Sequence, residues 1–190
     1  MSKVLEEMRT RRSIRKFKPD MIPQDILDRI IEAGTFAANG RGAQNTIIIQ
    51  VTNKEIRDEI AKRNADIMGS NTDPFYGAPV ILIVLGKKDW PTHVYDGSLV
   101  MGNLMNAAHA LDVDSCWIHR AKEEFESPEG KQILKDLGIT GDYEAAVFTA
   151  RRKSLSLTGA KSFSNHSVLK MSMRESDIVL LDMLMEIILT

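Results

Sequence analysis

The sequence predicts an α+β or mixed α/β sandwich, folded as one domain over residues 1–190. Three observations carry that expectation. Stretches with apolar residues at helical spacing alternate with short β-branched runs as far as residue 150. One run, V-I-L-I-V-L at residues 80–85, lacks polar alternation, the mark of a strand covered on both faces. Several connections are long, and no internal repeat or linker divides the chain. A chain that is 43% hydrophobic and 27% charged has the composition of a packed globular protein, long enough to bury a core.

The elements follow in order. Ser2 is placed to cap a first helix with Val4, Leu5 and Met8 on one face. Pro23 opens a second, in which Ile26, Leu27, Ile30, Ile31 and Ala37 recur at helical spacing. A-A-N-G-R-G-A-Q-N, residues 37–45, is a loop. T-I-I-I-Q-V-T, residues 46–52, reads as a strand, and Asn53 caps a helix running to about Asn64. A loop over residues 69–79 leads into the strand at 80–85. Residues 96–111 read as a helix, with Leu99, Leu104, Met105, Ala108 and Leu111 inward. S-C-W-I-H, residues 115–119, is a third strand, in which Cys116 and Trp117 are expected in the core. A helix starts at Pro128 and ends at Gly138, and residues 145–150 form a fourth strand. Residues 177–189 are almost wholly apolar and imply a buried helix.

Several functions are disfavoured. Cys116 is the sole cysteine, so no intrachain disulfide or cysteine zinc cluster forms. The N-terminus lacks a signal-peptide core, and no run reaches the roughly 20 apolar residues of a membrane span, so a cytoplasmic protein is expected. His93, His109 and His166 are scattered, with no metal-binding spacing, and no metal is expected. Neither a serine-hydrolase elbow nor a nucleoside-triphosphate loop is present.

The strongest local feature is R-T-R-R-S-I-R-K-F, residues 9–17, in a chain whose formal net charge is only -1. A solvated basic face is one reading of it. The other is an anion site, because guanidinium forks match phosphate oxygens. In an extended segment Arg11, Ser13 and Arg15 project to one side, and Arg12, Ile14 and Lys16 to the other. Nucleic acid is disfavoured as the anion, since no aromatic side chains interleave with the cations.

Four stretches, in order, resemble the nitroreductase family of FMN-dependent oxidoreductases. They are R-R-S-I-R-K-F with the helix after it, A-A-N-G-R-G-A-Q-N, F-Y-G-A-P-V-I-L-I-V, and D-G-S-L-V-M-G-N-L-M-N-A-A-H-A-L-D-V-D-S-C-W-I. The resemblance covers roughly residues 5–150. It implies an α+β fold with a central, mostly antiparallel sheet flanked by helices, and a homodimer with FMN at its interface. Carried across position by position, it implies that Arg11, Arg12, Ser13 and Arg15 hold the flavin phosphate and nearby groups. Ala38, Asn39, Gly40 and Gln44 would lie along the ring. Backbone amides of Trp117, Ile118 and His119 would approach flavin N5 and O4. His119 stands where many members have glycine, and is open to reading as a flavin-edge ligand, a proton donor or a packing residue. No side chain is assigned as catalytic.

The implied activity is electron transfer from NADH or NADPH to a small electron-poor acceptor, such as a nitroaromatic or quinone, by a ping-pong mechanism. Alternatives on the same fold are dehalogenation, flavin destruction or a non-enzymatic flavin-storage dimer. The sequence departs from the family pattern at Gly42, at Asn45-Thr46 and throughout residues 151–190. In that tail Arg152 and Lys153 stand in for the family's basic residues near the phosphate, and the 177–189 helix either wraps the partner subunit or is an altered terminus.

Overall fold

The computed structural model describes residues 2–17, 19–152 and 168–171, with residues 146–152 and 168–171 as backbone. Lys153 and the apolar stretch at 177–189 lie outside the described residues. Six helices and five strands follow in the order α1 (Lys3–Thr10), α2 (Gln24–Thr35), β1 (Thr46–Val51), α3 (Lys54–Met68), β2 (Val80–Lys87), α4 (His93–Ala110), β3 (Val113–Ile118), α5 (Ala121–Glu126), α6 (Pro128–Asp136), β4 (Tyr143–Arg152) and β5 (Val168–Met171). A single 3₁₀ turn, Gly40–Gly42, follows α2.

The strands form one sheet in the order β3-β4-β2-β1-β5. The pairs β1–β2, β2–β4 and β3–β4 are antiparallel, and only β1–β5 is parallel. The mostly antiparallel sheet flanked by helices is the architecture expected from the sequence. The central strand β2 explains the sandwich. Its period-two side chains are apolar on both faces, so Ile81, Ile83 and Leu85 enter one core while Val80, Leu82 and Val84 enter the other. Phe75, Phe125 and residues of α3 and α6 close the first core; Leu27, Ile30 and Ile31 of α2 with Val100, Met101 and Leu104 of α4 close the second. Each fully buried aliphatic side chain of β2 contributes roughly 1.5–3 kcal/mol through the water it excludes.

Local chemistry sets the helix ends. Asn53 Oδ1 accepts from the Ile56 amide (3.0 Å) at the start of α3, and Gly69 ends that helix at φ 67°. Ser127 Oγ accepts from Gly130 N at the start of α6. Gly130 is hemmed in by backbone: a Cβ there would lie 2.2 Å from the Glu124 carbonyl oxygen and 2.6 Å from Phe125 Cα. Gly130→Ala is therefore expected to destabilise the fold by about 2 kcal/mol or more through overpacking, measured as a lower urea midpoint at unchanged slope.

Several sequence expectations are corrected. Helix α3 runs four residues past Asn64, α4 begins three residues before Asp96, and Pro23 sits at the N-cap of α2 rather than inside its first turn. Ser2 makes no side-chain capping bond. Leu99 is not inward but 49% exposed, and Trp117 is not a core residue but 42% exposed. Both stand on the α4 side of the sheet, where α4 leaves an apolar surface uncovered.

Candidate functional site

The cationic segment owes its place to two anchors. At its start, α1 is pinned to the C-terminal end of α4: Thr10 Oγ1 lies 2.9 Å from His109 Nε2, and Glu7 Oε2 lies 3.4 Å from the same nitrogen. The chain then leaves the helix extended, and Ser13 bridges Ser115 in parallel, with the Ile14 amide donating to the Ser115 carbonyl (3.0 Å). Because β3 is an edge strand, it has this free side to offer. Arg11 through Arg15 are thus laid along the rim of the sheet.

The three arginines are used differently. Arg12 folds back, and its Nη1 donates to the carbonyls of Arg9 (2.7 Å) and Arg11 (2.8 Å), closing the C-terminal end of α1. Part of its donor capacity is therefore spent within the protein. Arg11 Nη1 is buried without a hydrogen-bond partner among the described residues. A buried, unpaired guanidinium nitrogen costs free energy unless an acceptor from outside the chain reaches it. Ser13 and Arg15 are exposed beside it.

Further along β3 the edge meets a cavity of about 230 Å³. Gly86 and Gly97 leave room for it, and Trp117, His119, Lys122 and Glu144 stand around it. Glu144 Oε2 accepts from Lys122 Nζ (2.9 Å) and lies 3.7 Å from His93 Nε2. That carboxylate holds the Lys122 ammonium above the usual lysine range. From Ser115, beside Ser13, to His119 is four residues, about 13 Å of strand. The cationic segment and the Trp117–His119 end of β3 therefore share one edge of one chain.

The Ala38–Gln44 loop does not reach the cationic segment. Gly40 N donates to Asp96 Oδ1 (2.9 Å), Thr92 Oγ1 donates to Asp96 Oδ2 (2.8 Å), and the Gln44 amide donates to Asn39 Oδ1 (3.0 Å). Asp96 is only 2% exposed, so this is a rigid fastening to the N-terminal end of α4. Thirteen residues separate Asp96 from His109, roughly 20 Å of helix. Within one chain, Ala38, Asn39, Gly40 and Gln44 are thus held at the opposite end of α4 from α1 and Arg11. Arg152 ends β4 opposite Val113.

Residues that the sequence reading passed over complete the surroundings. Asn64 of α3 is fully buried and touches both the end of β3 and Glu124 of α5. Glu124 is 1% exposed, and burial pushes its carboxyl up to about 7 despite the Asn64 hydrogen bond and the nearby Arg63 and Arg120 charges. The available signal was a polar residue at an apolar helical position: Asn64 follows Ile60 by four residues. Among the described residues no group of three or more histidine, cysteine, aspartate or glutamate side chains could hold a metal ion, and no helix is long and apolar enough to cross a membrane.

A three-layered α+β domain thus gathers donors and a cavity along one sheet edge. The profile of the nitroreductase family matches residues 8–150, and the chain belongs to that family. Among solved structures it is similar to a nitroreductase from Bacteroides fragilis NCTC 9343 with bound FMN, at TM-score 0.75 and 25% identity, covering 86% of this chain and 96% of that one. A second, from Desulfitobacterium hafniense DCB-2 and also with bound FMN, shares the fold at TM-score 0.72 and 22% identity, covering 86% and 95%. A putative NADH dehydrogenase/NAD(P)H nitroreductase of Methanothermobacter thermautotrophicus is 29% identical over 126 residues, which is 60% of this chain. The matched part spans 59% of that relative's length.

Proposed function

We propose that this protein is an FMN-dependent oxidoreductase that passes electrons from NADH or NADPH to small electron-poor acceptors, nitroaromatics or quinones, in two half-reactions sharing one pocket. The observation that carries the proposal is the buried, unpaired Nη1 of Arg11, beside Ser13 and Arg15, in a chain of this family. The donor set fits the cofactor's phosphate. Arg11 and Arg15 supply charge, Ser13 supplies a hydroxyl, and among the described residues no carboxylate pairs with the Arg11 nitrogen that is left over.

FMN, when bound, supplies the hydride and electron chemistry. The chain's own part is to bind, orient and exclude water. Arg11, Ser13 and Arg15 hold the phosphate, with Arg12 fixing the segment's entry angle through the Arg9 and Arg11 carbonyls. Trp117, Ile118 and His119 line the cavity, where their backbone amides would read the ring. Lys122, Glu144 and His93 form its polar wall. No side chain is given an acid or base role.

The same reading makes the protein a homodimer. The cavity is small beside the few hundred Å³ of a usual ligand site. Next to it lie Val94, Leu99, Trp117 and Tyr95, the last 70% exposed, an apolar surface of the kind that marks an interface. A second copy seated there would bring its own Ala38–Gln44 loop to the cationic edge of the first, joining residues that one chain keeps apart. Arg152 and Lys153 remain proposed as additional phosphate cations.

The test is direct. The purified protein is expected to carry a flavin absorbance band, to bleach without oxygen on addition of NADH or NADPH, and to recover with menadione or nitrofurazone. A flavin band that neither nucleotide bleaches would indicate storage; absence of flavin binding altogether would sink the proposal.

A further inference from the structure

One peptide carbonyl at the cavity beside β3, that of His119, is held by a side chain from another layer of the fold. The amide of Asn64 makes three hydrogen bonds. Its Nδ2 donates to the His119 carbonyl (3.1 Å) and to Glu124 Oε2 (3.2 Å), and its Oδ1 accepts from Arg120 Nε (3.1 Å). The partners dictate this orientation, since a carbonyl only accepts and a guanidinium only donates. One side chain of α3 thereby grips the turn that carries β3 into α5. The turn needs a grip: Arg120 sits at φ 75°, a left-handed conformation that costs a residue with a Cβ.

The grip has a geometric consequence. Across a trans peptide the carbonyl and the following N–H point in opposite directions, and no peptide among the described residues is cis. With the His119 carbonyl drawn toward α3, the Arg120 N–H is turned to the other face of the sheet. That is the face α4 covers and on which the cavity opens, with His93 and Gly97 opposite.

We infer that Asn64, seated on Glu124, is a positioning residue that aims the Arg120 amide into the cavity as a fixed donor to the electron-rich edge of the bound flavin ring. The inference rests on the flavin reading above. A donor fixed beforehand needs no reorganisation when a ligand gains electron density, so the clamp favours the reduced form of the cofactor. Glu124 keeps the second Nδ2 hydrogen occupied, which prevents the Asn64 amide from turning over and facing the His119 carbonyl with its own oxygen.

The experiment separates positioning from packing. In the double variant Asn64→Asp/Glu124→Gln, the new glutamine amide donates to the new aspartate, and that aspartate still accepts from Arg120 Nε. The bond to the His119 carbonyl is lost, and an aspartate oxygen faces that carbonyl in its place. The variant is expected to remain folded as apoprotein with a lowered melting temperature, to bind FMN about tenfold more weakly and to show a lower midpoint potential. A folded variant with wild-type affinity and potential overturns the inference. A second measurement holds whether or not the variant folds: in the wild type, hydrogen exchange at the Arg120 amide is expected to slow at least tenfold on adding FMN, and unchanged exchange with FMN bound also overturns it. If the wild type binds no FMN, the flavin reading itself falls, an outcome distinct from a defect confined to the variant.

Discussion

Arg11→Ala combined with Arg15→Ala is expected to weaken FMN binding by about 10²- to 10⁴-fold while leaving the apoprotein folded. The magnitude follows from removing two charge-assisted contacts to a dianionic phosphate, each contributing about 1.5–3 kcal/mol. The fold should tolerate the change because neither side chain carries a described structural bond: Arg11 Nη1 is unpartnered and Arg15 is exposed. Quenching of flavin fluorescence gives the affinity, and a thermal melt of the apoprotein gives the control. Arg12→Ala provides the contrast, because Arg12 Nη1 closes the end of α1 on the Arg9 and Arg11 carbonyls. Its loss is expected to cost about 1 kcal/mol of stability. Tight FMN binding retained by the double variant would remove the ground for placing the phosphate on this edge.

The same arginines mark how far the sequence alone reaches. Crowding of cations in a nearly neutral chain is visible in composition, and so was the anion site as one of two readings. That Arg12 turns back on its own helix is a matter of backbone path, which no spacing rule reports. Elements with strong local chemistry were legible: β2 through its unbroken apolar run, α3 through Asn53, the end of α6 through Gly138 at φ 73°. Helix α5 was missed because A-K-E-E-F-E is six residues long and buries a carboxylate where a helix pattern calls for an apolar side chain. Strand β5 was missed because four residues, paired to β1, carry almost no periodic signal. Leu99 and Trp117 were assigned inward because a one-chain reading sends every large apolar residue to its own core. The homodimer proposed above would cover them. Asn64 was illegible as part of the site since its partners His119 and Glu124 lie 55 and 60 residues away.

Glu124 offers the other large effect, and it appears in stability rather than binding. Its carboxyl titrates at about 7 in the folded protein against an ordinary value of 4.5, chiefly because burial disfavours the charge. The groups facing it are Asn64 and Arg63 from α3 and Arg120 at the start of α5, with Glu59 and Glu129 across the adjoining cavity. The attraction from the two arginines does not offset desolvation. Below about pH 4.5 the carboxyl is protonated in both folded and unfolded chains, and the shift contributes nothing. Between about 4.5 and 7 the folded chain holds a proton that the unfolded chain has released, so stability falls as pH rises. Above about 7 both are ionised and the whole cost stands, about 3 kcal/mol at about 1.4 kcal/mol per pH unit. Glu124→Gln mimics the protonated acid: its oxygen accepts from Asn64 Nδ2, and its nitrogen replaces the oxygen Oε1, which is buried without a partner. Urea unfolding at pH 5 and pH 8 is therefore expected to show the variant gaining on the wild type by about 2.5 kcal/mol across that interval. Equal pH dependence in the two proteins would mean that the buried carboxylate ionises at no cost, which its burial and its single amide partner make untenable unless water reaches Oε1.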